Sequence, residues 1–274
     1  MSRNKDRVNQ NVAPVIAQVP QMEQQNMPNP FNFVVPTEAI DLPSKGKYYP
    51  EGHCLRDAEF VEIKHMTAKE EDILTSQSLI KKGLAITKLL ESIIVDKSIK
   101  VQDMLIGDKN ALLIASRIYG YGPDYNVNLV CPACSNSFEA TIDLNDFGQK
   151  ELEMNEAITI TENGTFEVTL PKSNYVVEFR LLTSKDEAVL TKEIAKTSTA
   201  LLKLITVSIN GQTDSFYIER ALNVLPIADS SLLRKLYSSV MPDVDMSCEV
   251  ECTKCFEEST MEVPLTAEFF WPNT

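Results

Sequence analysis

The chain has 274 residues, with Lys+Arg 26 against Asp+Glu 39, a formal charge of −13 and a pI near 4.7. This length allows one or two domains with a core that needs no covalent staples, and the acidic balance is the wrong sign for wrapping nucleic-acid phosphates or binding a membrane surface through basic patches. No apolar run reaches the roughly 18 residues of a membrane span, and MSRNKDRVNQNVAPV lacks the apolar core of a secretory signal. We therefore expect no membrane anchor and a reducing compartment, where cysteines are thiols or metal ligands rather than disulfides.

Residues 1–36 hold six Asn, five Gln and five Pro. Such a stretch buries too little surface to offset chain entropy and reads as a disordered arm. Its apolar patch, Phe31, Phe33, Val34 and Val35, is either part of a loose tail or a segment that orders against a partner. IDLPSKGKYYPEG (40–52) reads as a turn-rich loop. EFVEIK (59–64) alternates like a short strand, with Phe60, Val61 and Ile63 as candidates for the inward face.

A helical block follows. Thr67 and Glu70 form a capping box, with Glu71 and Asp72 also in the first turn. Lys81 and Lys82 close that helix and Gly83 offers a left-handed stop. Ile86, Leu89, Leu90 and Ile93 fall at helical spacing in a second helix. A third helix starts near Asp108 or Asn110 and runs to Gly120, apolar all round and so expected to be buried. Two β-like runs flank a CxxC turn at 126–144, and strands are expected within AITITENGTFEVTL, with an Asn163-Gly164 turn, and in YVVEFRLLT. SKDEAVLTKEIAK and ADSSLLRKLYSSV read as helices, with a β-like ITVSIN (205–210) between them.

The strongest chemical signal is a pair of CxxC turns, Cys131-Pro-Ala-Cys134 and Cys252-Thr-Lys-Cys255. Ile142 and Leu144 follow the first as Val263 and Leu265 follow the second, all at one offset of 121 residues, with Phe147 and Phe269 beyond. This is the pattern of a zinc ribbon whose halves are separated by a large insertion. Zinc takes four tetrahedral ligands, and two CxxC turns supply four sulfurs. Such a site is closed to water, so its zinc would be structural. A redox dithiol and buried thiols without metal are the alternatives, although neither turn sits at a strand-to-helix junction. Cys248 could replace a ligand or pack nearby, and Cys54, His53 and His65 have no evident metal partners. No GxSxG, Walker loop or GxGxxG is present, and an enzyme using the metal would need a ligand set other than four cysteines.

In chain order stand DLPSKGKYYPEG (41–52), FVEIKHMTAKEEDIL (60–74) and MLIGDKNALLIASRIYGYGPDY (104–125). The first CxxC, LPIADSSLLRKL (225–236), MPDVD (241–245), the second CxxC and EFFWP (268–272) complete the set. This ordered set resembles the baseplate hub and hub-assembly proteins of contractile-tailed phages, the family typified by the T-even phages. The resemblance spans about residues 40–272 and implies a non-enzymatic structural or assembly role. Its partners would be other hub or tail proteins, in the host cytoplasm during assembly and in the tail baseplate of the virion. It marks Lys45 and Gly46, Asp108 and Arg117, the four knuckle cysteines and Trp271.

Tyr48 and Tyr49 are interaction candidates because tyrosine is enriched at interfaces; the alternative is packing under their own loop. Phe269, Phe270 and Trp271 are either a docking tail or, as we expect, buried against the ribbon and helical block. A zinc-ribbon nucleic-acid-binding accessory factor is the competing function, and Lys254 is the only base near either knuckle. The expected fold is α+β, a helical block plus small antiparallel sheets and the split ribbon. Its parts are an arm (1–36), a loop, strand and helical block (37–125), the first knuckle (126–147), an inserted α/β region (148–247), and the second knuckle with an aromatic tail (248–274).

Overall fold

Alternation selects the first strand pair: β1 (Thr37–Asp41) runs antiparallel to β2 (Phe60–Lys64), with Ile40 opposite Val61. The computed structural model describes residues 34–193, 198–263 and 267–270. The arm up to residue 33, Leu265 and Trp271 lie outside the described residues. Val61 and Ile63 take the core face of β2, so period-2 geometry turns Phe60 outward beside Glu62, 57% exposed. Phe60 therefore corrects the expectation of an inward ring. β1 was not expected, because Pro43 and Gly46 dominate the segment that follows it.

The helical block begins as its caps dictate. In α1 (Ala68–Thr75) the Glu70 carboxylate accepts from the Thr67 backbone N–H at 3.0 Å and its hydroxyl at 2.6 Å. Glu70 is fully buried; burial raises its pKa, but donors from Ser92, Thr67 and Lys64 outweigh this and hold it down to about 2. The expected single helix breaks at Ser76 (ψ 105) into α1 and α2 (Gln77–Lys81). Gly83 (φ 66) supplies the stop: its N–H donates to Ile80 O and that of Leu84 to Leu79 O, a Schellman pair. In α3 (Ala85–Ile93), Leu89, Leu90 and Ile93 are buried. The third expected helix is α4 (Ile106–Tyr121), buried on all sides through Leu112, Leu113, Ile114 and Ala115 and ended by Gly122 at φ 88.

Two polar side chains of α4 bind distant segments to it. Fully buried Asp108 accepts from Ser44 N (2.9 Å), Ser44 Oγ (2.6 Å) and Tyr49 Oη (2.8 Å), which fixes the LPSKG loop. Burial outweighs these donors and raises its pKa. Arg117 is also buried; its Nε donates to Phe269 O (2.8 Å) and its Nη2 to Asp124 O (3.0 Å), while Nη1 donates to Gly122 O. It clamps three carbonyls from two segments, the α4–β3 connection and the 3-10 turn near the C-terminus.

The described residues from 36 onward pack as one unit. After α4 comes the hairpin β3 (Asp124–Val130) and β4 (Ser137–Asp143). A four-stranded antiparallel sheet follows in the order β6 (Ile158–Ile160), β7 (Phe166–Thr169), β8 (Val176–Phe179), β9 (Thr206–Ile209). Gly164, at φ 75, makes its first turn. Between β8 and β9 run α5 (Ser184–Glu193) and α6 (Ser198–Ile205), and after β9 come α7 (Ser215–Asn223) and α8 (Ile227–Val240). Buried Asp229 of α8 accepts from Lys172 N and Ser173 N and holds the β7–β8 turn. The inserted region is pinched at its base where β5 (Gly148–Gln149) pairs with β10 (Val244–Asp245). A second hairpin, β11 (Ser247–Glu251) and β12 (Glu258–Glu262), and a 3-10 turn (Ala267–Phe270) complete the α+β unit.

Candidate metal centre

Both knuckles are built the same way. In the first, Cys131 N donates to Asn136 O and Ser135 N to Cys131 O, each at 2.9 Å. In the second, Cys252 N donates to Glu257 O (3.0 Å) and Phe256 N to Cys252 O (2.9 Å). The fifth residue is left-handed in each, Ser135 at φ 55 and Phe256 at φ 58. Strand register repeats as well: Val130 opposes Ser137 as Glu251 opposes Glu258, and Val127 opposes Ala140 as Cys248 opposes Met261. The offset of 121 seen in the sequence is therefore an offset of whole hairpins. Phe256 is a costly residue for left-handed backbone, and it stands 72% exposed at the knuckle tip.

The two hairpins bring their sulfurs together. Cys131 Sγ lies 3.6 Å from Cys255 Sγ, and Cys134 Sγ 3.7 Å from Cys252 Sγ. All four lie within 4.8 Å of one another. A tetrahedron of sulfurs about 2.3 Å from zinc has edges of about 3.8 Å, whereas a disulfide spans about 2.05 Å. The donor set thus has the softness, number and spacing that zinc takes, and the cysteines are free thiols rather than bridges. Backbone N–H groups of Cys255 and Lys254 point at Cys252 and pull its thiol down to about 6. Cys255 moves the other way, to about 12: the Glu257 N–H lowers it, but the Cys134 sulfur, burial and the Cys252 and Cys131 sulfurs outweigh that donor. Four sulfurs this close cannot all ionise without a cation among them.

The remaining candidates sit elsewhere. Cys248 Sγ donates across its own hairpin to Met261 O (3.6 Å) and burial raises its pKa, so it sits within β11 and outside the four-sulfur cluster. Cys54 is exposed near Ser98. His53 stacks on Tyr49 at 4.5 Å and His65 on Tyr119 at 5.0 Å.

The loop and tail candidates divide by burial. Lys45 is exposed and Tyr48 half-buried against Phe166. Gly46 is buried with its backbone against the chain: a Cβ there would stand 2.3 Å from Ala58 N, at φ 69. Tyr49 is buried, donates to Asp108 and accepts from Leu105 N (3.0 Å). Phe269 packs edge-on to Tyr125 at 5.1 Å and Phe270 edge-on to Phe269. Gly46, Tyr49, Phe269 and Phe270 are buried inside the chain, as expected for the aromatic pair of the tail. Residue reasoning alone had no signal for the Asp108 and Arg117 clamps, whose partners are 64 and 152 residues away; only the family pattern marked them.

Taken together, the structure defines an α+β protein with a split, zinc-ribbon-like pair of CxxC knuckles closing on one four-sulfur cluster. The chain belongs to the family described as T4 bacteriophage base plate protein, which matches residues 36–271 and so takes in both knuckles. It is thus a T4-type phage baseplate protein, and its setting is a phage tail among other tail proteins. Comparison with curated proteins and with solved structures returned no match. No described helix is long and apolar enough to cross a membrane.

Proposed function

We propose that this chain is a non-enzymatic structural or assembly protein of the tail baseplate hub. It acts through protein–protein contacts, with a structural zinc at Cys131, Cys134, Cys252 and Cys255. The reading is carried by the four-sulfur cluster, which closes two segments 121 residues apart in a chain of the baseplate family. When bound, zinc supplies a closed joint of four thiolates. The residues around it do the rest: the knuckle N–H groups orient the sulfurs, and the buried strand faces exclude water from one side. Apparent energies of about 10–16 kcal/mol in zinc-finger peptides show how firmly such a joint can hold. Exposed Lys45 and the accessible edge of Tyr48 are candidate contact points for neighbouring hub or tail proteins. Assembly would take place in the host cytoplasm, with the virion baseplate as the destination.

Charge argues against the nucleic-acid reading. The outward face of the second hairpin carries Glu249, Glu251, Glu258 and Glu262, and Lys254 is its only base. Two measurements test the proposal. Affinity capture from infected cells, with mass spectrometry of the partners, should return baseplate proteins. Purified chain should carry about one zinc. Tight nucleic-acid binding that falls steeply with salt would overturn the assignment.

A further inference from the structure

The four sulfurs differ in access. Cys131 and Cys252 are buried, Cys134 is half-buried and Cys255 exposed. The two short separations, 3.6 and 3.7 Å, both run between hairpins, and each joins a buried sulfur to a more accessible one. Each accessible thiol therefore faces a buried resolving thiol on the opposite hairpin, the arrangement that carries a thiol from sulfenic acid to disulfide rather than to further oxidation.

We propose that the centre is also an oxidative closure: a peroxide converts it into two disulfides that cross between the hairpins, Cys131–Cys255 and Cys134–Cys252. In the first step the accessible Cys134 thiolate attacks the peroxide. An S–O bond forms, the O–O bond breaks, and the departing hydroxide takes a proton to become water. The buried Cys252 thiolate, 3.7 Å away, then attacks the sulfenic sulfur. An S–S bond forms, the S–O bond breaks, and the second hydroxide leaves as water. One hydrogen peroxide is reduced to two waters as two thiols are oxidised to one disulfide. Cys255, no longer beside the free Cys134 and Cys252 thiols, repeats this with Cys131 resolving and a second peroxide. Each disulfide removes two thiolate ligands, so a bound cation is released, yet the hairpins stay joined. A joint made of metal in a reducing cytosol becomes covalent in oxidising surroundings. The proposal rests on the metal reading of the same four sulfurs only for the cation release; the choice of disulfide partners rests on sulfur placement.

The test uses the full-length chain. Reduced protein is first assayed for zinc, then treated with about two equivalents of hydrogen peroxide, alkylated and mapped by peptide mass spectrometry. We expect both crossing disulfides, a mass loss of about four hydrogens, release of about one zinc per chain, and Cys54 and Cys248 still open to alkylation. In Cys255→Ser, Cys131 should stay alkylatable while Cys134–Cys252 still forms. Disulfides within either CxxC turn, pairing through Cys54 or Cys248, or oxidation that ends at sulfinic acid would overturn the proposal. If Cys255→Ser does not fold, the map of the unaltered chain decides alone. Crossing disulfides in a chain that never held zinc would sink the metal reading and leave this one standing. Zinc release with disulfides inside each turn would do the reverse.

Discussion

The two knuckle hairpins share a backbone and differ in how the rest of the molecule holds them. β3 and β4 turn Tyr125, Val127, Leu129, Phe138 and Ile142 into the core, all buried. The equivalent residues of the second hairpin are Met246, Cys248, Val250, Ser259 and Val263, and of these only Val263 is buried. Arg117 and Phe269 reach the first hairpin directly. The second is tied in through its sulfurs, through the buried Val263 with half-buried Met246, Cys248, Val250 and Met261 beside it, and through the short β5–β10 pair that precedes it. The same fold unit is thus a part of the core in one place and a lid on the sulfur cluster in the other. The four-sulfur joint thus stands where packing is thinnest.

That contrast sets the largest expected effect. Stripping zinc with a chelator, or Cys252→Ser, should abolish amide protection over residues 247–262 while residues 124–143 keep most of theirs. Hydrogen exchange read by mass spectrometry resolves the two. Metal-free protein that melts cooperatively at the temperature of the loaded form, with both hairpins protected, would remove the structural role. Next in size is Arg117→Leu, which leaves the carbonyls of Phe269, Gly122 and Asp124 without their donor. A buried unpaired carbonyl costs about 1–3 kcal/mol, and only the Phe269 carbonyl is fully buried while the other two are reached by water, so a loss of about 2–4 kcal/mol in denaturant unfolding is expected, with the first hairpin now exchanging faster. Equal loosening of both hairpins would contradict the division of anchors.

How much of this was legible beforehand follows from the range of each interaction. The capping box at Thr67, the Gly83 stop and the Asn163-Gly164 turn are local, and each appears where the sequence puts it. The CxxC pair was legible at 121 residues because a repeated pattern carries its own register. α7 was missed although its signal was present: Asp214 accepts from Tyr217 N (2.8 Å) as an N-cap, and Ile218, Ala221 and Leu222 are buried at helical spacing. α6 runs directly into β9, so its apolar STALLKLI run was not separated from the strand. Arg117 shows the limit: nothing near residue 117 indicates that its acceptors are carbonyls at 122, 124 and 269. The inward look of Phe60 failed for a related reason, since alternation gives two faces and only the partner element decides which is core.

The comparison can be sharpened by matched truncations. Leu129→Ala removes a buried side chain and should cost about 2–5 kcal/mol. Val250→Ala, at the equivalent half-buried place, should cost about 1 kcal/mol or less by the smaller area involved. Comparable losses would mean that the second hairpin is packed as firmly as the first.

The smallest effect concerns charge across the second hairpin. Glu251 lies directly opposite Glu258 on its exposed face, where the first hairpin places Val130 opposite Ser137. Like charges in a cross-strand pair are destabilising, and opposite charges gain about 0.2–1 kcal/mol. Glu258→Lys should therefore stabilise the second hairpin by up to about 1 kcal/mol. The gain should show as slower exchange over residues 247–262 and no change over 124–143, and it should shrink in high salt, because exposed charges are screened. The thin packing behind β11 makes this readable, since little else there masks a change of that size. A variant with unchanged or faster exchange at low salt would mean that the glutamates do not oppose each other as the register places them.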